Sequence, residues 1–79
     1  MTVFIVITED RHTDTSVHAF SVGLKAIEWA KERLKGFDRF GDYREHQLSY
    51  PMMSDGWIFY ATCGDDGPSI RVVETQVMG

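Results

Sequence analysis

The chain has 79 residues, a formal net charge of −4 and a pI near 5.1. A chain this short makes one domain, residues 1–79, and buries only about 60–65% of its unfolded surface, so its stability is marginal. Its apolar content of 43% argues against intrinsic disorder, and its acidic balance argues against nucleic acid or anionic lipid as a partner.

The first predicted element is a strand over Thr2–Thr8 whose run Val3-Phe4-Ile5-Val6-Ile7 has no polar position, which marks it as internal to a sheet. A polar hairpin connection, Glu9–Thr15, leads to a second strand at Ser16–Ser21. A helix follows from Val22 to about Lys35, with Ser21 as N-cap and Gly36 at its stop. At helical spacing Gly23, Ala26, Ile27, Ala30, Leu34 and Phe37 form one stripe, while Lys25, Glu28, Lys31, Glu32 and Lys35 face away. Trp29 falls on a flank of that stripe, where it either packs against the Gly36–Asp42 loop or serves as a contact hot spot.

The half-polar pattern of Tyr43–Tyr50 predicts a third, edge strand, closed by Pro51 and the Ser54-Asp55-Gly56 turn. Strand 4, Trp57–Cys63, is apolar in both registers, with Trp57, Phe59, Ala61 and Cys63 against Ile58 and Tyr60. Gly64-Asp65-Asp66-Gly67-Pro68 predicts a hairpin turn into strand 5, Ser69–Val77, whose wet positions are Arg71, Glu74 and Gln76. The expected fold is α+β: an antiparallel sheet of four to five strands in the order ββαβββ, with one helix on one face. One helix covers one face only, yet strands 1 and 4 are apolar on both. The second face therefore needs the Tyr50–Asp55 loop, a second copy of the chain in a homodimer, or another protein.

Other features bound the setting. Cys63 is the lone cysteine and forms no intramolecular disulfide, which fits a reducing cytoplasm. No apolar stretch reaches membrane-spanning length, and residues 1–21 lack the basic start and cleavage site of a signal peptide. A soluble, cytoplasmic protein is the expectation. Residues 22–46 carry six Lys/Arg against five Asp/Glu, and the remainder carries two against seven. The strands and their loops are thus the acidic part, suited to basic partners or simply to solubility.

Asp10, His12 and Asp14 alternate, so in an extended segment they share a side, with His18 and His46 as further imidazoles. Two carboxylates and an imidazole suit Zn²⁺, Mn²⁺ or general acid–base work, although a solvated hairpin loop reads the same. Cys63 ends an apolar strand without a sequence-local base, and no nucleophile elbow or phosphate loop occurs. The expectation is that the chain is not an enzyme and holds no cofactor. Tyr43, Tyr50, Trp57, Phe59 and Tyr60 are too many to lie under one helix, so some face the other side.

The unit Asp10-Arg11-His12-Thr13-Asp14 with Val17 and Phe20, the Ala26-x3-Ala30-Lys31 helix and the Trp57-x-Phe59-Tyr60 strand look like a loose group of short bacterial and phage proteins without assigned activity. In size, acidity and layout the chain also resembles anti-CRISPR inhibitors and other anti-defence proteins of phages and mobile elements. That resemblance implies a non-catalytic inhibitor that occludes a host nucleoprotein complex by presenting carboxylates to a basic groove. It carries over no functional residue. The candidate contact residues are Glu9, Asp10, Asp14, Trp29, Asp55, Asp65 and Asp66, facing a protein or nucleoprotein complex with a basic surface.

Overall fold

Backbone pairing orders the strands in a computed structural model, which describes residues 1–10, 13–64 and 67–78. The chain runs β1 (Thr2–Asp10), β2 (Thr13–Phe20), α1 (Gly23–Phe37), β3 (Tyr43–Glu45), β4 (Trp57–Cys63) and β5 (Ser69–Gln76). The five strands form one antiparallel sheet in the order β2-β1-β5-β4-β3. The fold is α+β, with α1 packed on one face against β5, β1, β4 and β2. β1 is paired on both sides, as its unbroken apolar run requires.

The core lies between α1 and the sheet. Val6, Ala61, Ile70 and Val72 are fully buried beneath Ala26, Ala30 and Leu34. The two alanines let the helix backbone approach the strands closely. Gly23 extends the same logic to the helix start, where a Cβ would lie 3.0 Å from Phe4 Cε1. Phe4, Phe20, Ile27, Trp29, Tyr43 and Ile58 are partly buried around this centre.

Several boundaries differ from the sequence reading, each for a local reason. The helix begins at Gly23, and Val22, not Ser21, is its N-cap, without a side-chain bond. Gly36 does not stop the helix. It lies inside, and the end comes at Asp38, whose backbone N–H donates to the Lys35 carbonyl at 3.2 Å. The Asp38 carboxylate then accepts the backbone N–H groups of Asp42 at 2.8 Å and Tyr43 at 3.2 Å, fixing the loop that leads to β3.

β2 starts at Thr13, so most of the expected polar connection is strand, and Asp10 and Asp14 sit on β1 and β2. β3 is shorter than predicted. Past Glu45 only the His46 N–H continues the ladder, to the Tyr60 carbonyl at 2.9 Å. The next residues wind into turns instead, with the Met53 N–H on the Ser49 carbonyl at 3.2 Å and the Trp57 N–H on the Met52 carbonyl at 3.1 Å. In β4 the pairing shifts between Trp57, opposite Val73, and Phe59, opposite Val72. This bulge separates two residues that alternation had put on one side. Phe59 enters the core and Trp57 turns to the other face.

Candidate functional site

Strand alternation carries Val3, Ile5 and Ile7 to the face away from α1, since Val6 and Thr8 are buried beneath the helix. Their cross-strand partners Ala19, Val17 and Val73 continue the same surface. Among the described residues no element of regular structure lies over it. The Tyr50–Asp55 loop does not seal it either: Tyr50 is 78% and Met53 53% exposed, and only Met52 of its bulky side chains is half-buried. The sheet therefore has one covered and one open side.

The β4 half of the open face is organised by contacts that cross strands. Arg71 donates from Nη1 to Glu9 Oε1 at 2.8 Å, and its guanidinium lies 5.1 Å from the Trp57 ring centroid. Trp57 meets Tyr60 edge-on at 5.3 Å, and Tyr60 meets His46 at 5.0 Å. His46 Nε2 in turn lies 2.7 Å from Thr62 Oγ1. A charged residue, two aromatic rings and an imidazole thus form a continuous row beside the aliphatic strip of β1 and β2. Sequence pattern places Arg71 among the wet positions of the last strand. Its place between Ile70 and Val72 was the available signal, because it put one cation in the middle of the open face.

The predicted aromatic surface is divided. Trp57 and Tyr60 lie on the open face, Phe59 in the core, and Tyr43 packs against the core with the Lys35 ammonium 5.2 Å from its ring. Trp29 packs across the helix flank onto β2, with the Arg33 guanidinium 5.1 Å from its ring centroid. It is half-buried on the helix side against His18 at 4.5 Å and Phe20 at 5.6 Å.

The described acidic candidates do not form one patch. Glu9 is held by Arg71, and Asp10 and Asp14 line a cavity between the β1–β2 hairpin and α1. Asp55 is exposed at the other end of the sheet, in the turn that precedes Trp57. Asp65 and Asp66 lie outside the described residues, and so does His12 of the Asp10/His12/Asp14 set. The other imidazoles do not join that set. His18 stacks on Trp29, and His46 belongs to the opposite edge of the sheet. Among the described residues no group of three or more His, Cys, Asp or Glu is placed to hold a metal ion.

A second cavity, of about 470 Å³, opens beside β3 and is lined by Tyr43, Arg44, His46, Thr62 and the Gly41-Asp42 turn. The His46–Thr62 pair sits in it, but among the described residues no carboxylate orients the imidazole. Cys63 is buried and donates to the Leu34 carbonyl at 3.5 Å. Burial, and then the carboxylates of Asp38 and Asp42, push its thiol pKa up, away from the reactive thiolate. Among the described residues no helix is long and apolar enough to cross a membrane.

Comparison with known protein families, curated proteins and solved structures gave no match. What the chain does must be argued from these surfaces.

Proposed function

We propose that the chain is a non-catalytic binding protein that docks its open sheet face on a protein or nucleoprotein complex with a basic surface. In its most concrete form the reading is an anti-defence inhibitor of the anti-CRISPR type, working in the cytoplasm and occupying the site where its target holds nucleic acid. The observation that supports it is the aliphatic strip of Ile5, Ile7, Val17, Ala19 and Val73 beside the Trp57–Tyr60 row, with no second layer above it among the described residues. Apolar area of this kind supplies affinity once water is excluded, and Trp and Tyr are favoured anchors at such centres. The net charge of −4 supplies long-range attraction to basic side chains, with Asp14 and Asp55 exposed at opposite ends of the sheet.

The test is competition. Purified CRISPR effector complexes are incubated with the chain, and their binding to target DNA is measured. Stoichiometric loss of DNA binding is expected, weakening as salt rises from about 50 to about 200 mM. Ile7→Glu, on the open face, should abolish inhibition while the circular dichroism spectrum stays folded. DNA binding untouched by excess chain, or inhibition indifferent to Ile7→Glu, would sink the reading. A second copy of the chain is the competing occupant of this face. Sedimentation equilibrium giving a dimer that Ile7→Glu dissociates would assign the surface to self-association instead.

A further inference from the structure

We infer that two copies of the chain pair along β2, antiparallel about a twofold axis at Ser16, with Asp14 of each copy against His18 of the other. β2 is an edge of the sheet and not its open face, so self-pairing there goes beyond the docking described above and does not depend on it.

The two edges of the sheet are built differently. β3 is three residues long, exposes Arg44 and Glu45, and leaves the ladder after His46. Short, charged and soon broken, it offers little to another strand. β2 is eight residues long and contains no proline, lysine or arginine. Its pairing with β1 runs without irregularity from Phe20 to Ser16, so no bulge bends this stretch. Among the described residues no backbone hydrogen bond leaves its outer side. Asp14, Thr15, Val17, His18 and Ala19 are exposed along it, Val17 at 60%. A long edge without blocking devices is a template for another strand.

Charge complementarity chooses a second copy as the occupant and fixes the register. Val6 and Thr8, which face the helix, pair with His18 and Ser16. Asp14, Ser16 and His18 therefore share the helix side of β2, and Thr15 and Val17 share the open side. When an antiparallel strand pairs with its own copy, the twofold axis passes through one residue. An axis at Asp14 sets two carboxylates together, and one at His18 sets two imidazoles together. Axes at Thr15 or Val17 leave Asp14 against Ser16 or Phe20. Only the axis at Ser16 sets Asp14 against His18, twice, with Val17 against Thr15 twice on the other side. An imidazole has an N–H to donate to a carboxylate in either protonation state, and β-branched pairs are favoured across strands. Neither Asp14 nor His18 is used by an ion pair or side-chain hydrogen bond among the described residues. Arg33 shares a cavity with Asp14, yet its guanidinium lies against the Trp29 and Phe37 rings. The same Trp29 ring, 4.5 Å from His18, holds the imidazole at the edge.

One strand edge buries less than the roughly 1,200 Å² of a standard interface, so the dimer is weak and concentration-dependent. Sedimentation equilibrium of the full chain from about 10 μM to about 1 mM should follow a monomer–dimer equilibrium. Ile7→Glu, on the open face, should leave it in place. Asp14→Lys sets an ammonium against an imidazole, and His18→Glu sets two carboxylates together. Each should weaken the dimer by at least about tenfold. Combined in one chain they restore opposite charges, and the affinity should return to within about threefold of the original. His18→Lys keeps a cation opposite Asp14 and should retain the dimer, with circular dichroism confirming that each variant is folded. Amides on the outer side of β2 should gain protection from hydrogen exchange as concentration rises. A monomer throughout that range, a dimer that Ile7→Glu dissociates, or a double variant no tighter than the single ones would overturn the proposal. So would β2 amides protected only when a CRISPR effector complex is added, which would give the edge to a strand of that partner.

Discussion

Tyr43 shows how position alone retunes a side chain. Its phenol is half-buried beside the helix and donates to Glu45 Oε2 at 3.2 Å. Desolvation, and then the Glu45 carboxylate, push its pKa from 10.0 to about 12. Between those values the folded chain binds more protons than the unfolded one. The stability this supplies is complete below pH 10 and is lost as pH rises toward about 12. Urea unfolding on either side of that window should show the loss, and Tyr43→Phe should remove this share of it. Cys63 gives a second check at this scale. With its thiol buried and its pKa raised, alkylation should proceed at the rate of opening and become fast only in denaturant. Composition announced a buried Cys63, because an apolar strand end predicts it. It could not announce Tyr43, whose environment is built by Glu45 and the helix packed above it.

The helix stripe was legible because its period is a property of the local chain. Ala26, Ala30 and Leu34 are buried as spaced, and Phe37 at the far end of the stripe is half out in solvent. The helix runs past Gly36, where a glycine predicts a stop, and the Asp38 carboxylate organises the turn that follows its end. Hydrogen bonds from the backbone of Asp42, above all, hold the Asp38 carboxyl below its ordinary pKa. Gly36 is exposed, its φ is not positive, and a Cβ there would meet nothing within 4 Å. Gly36→Ala is therefore expected to stabilise the domain by about 0.5–1 kcal/mol, measured as a higher midpoint of urea unfolding. A loss of stability would mean the helix end needs glycine after all. The bulge in β4 is the strand counterpart. Strict alternation grouped Trp57 with Phe59, and one extra residue separated them.

For the whole molecule the decisive property is the one-sided layering of the sheet. Val6 and Ile7 are neighbours in β1, yet Val6 is fully buried under α1 and Ile7 lies on the open face. Val6→Thr should bury a hydroxyl without a partner and cost about 1–3 kcal/mol. Ile7→Thr keeps β-branching and leaves its hydroxyl within reach of water, so its cost should stay below about 1 kcal/mol. Denaturant unfolding of the two variants reads the layering directly. Equal costs would mean that something already covers the open side. The strand direction divides the acidic residues differently, since Glu9 and Asp14 lie at one end of the sheet and Asp55 at the other. A partner engaged by charge must therefore span the sheet or choose one end.

Residue order by itself determined the α+β class, the amphipathic helix and the surplus of apolar faces over helices to cover them. These follow from periodicity and composition, which each segment carries on its own. Only the tertiary structure decided that Arg71 reaches Glu9, that Trp57 turns outward, and that Thr8 meets the same cavity as Arg33. Glu9 and Arg71 stand 62 residues apart, and the pairing of β1 with β5 brings them together. Strand partners and bulges are chosen by the packing of the whole sheet, a free energy that no single segment contains.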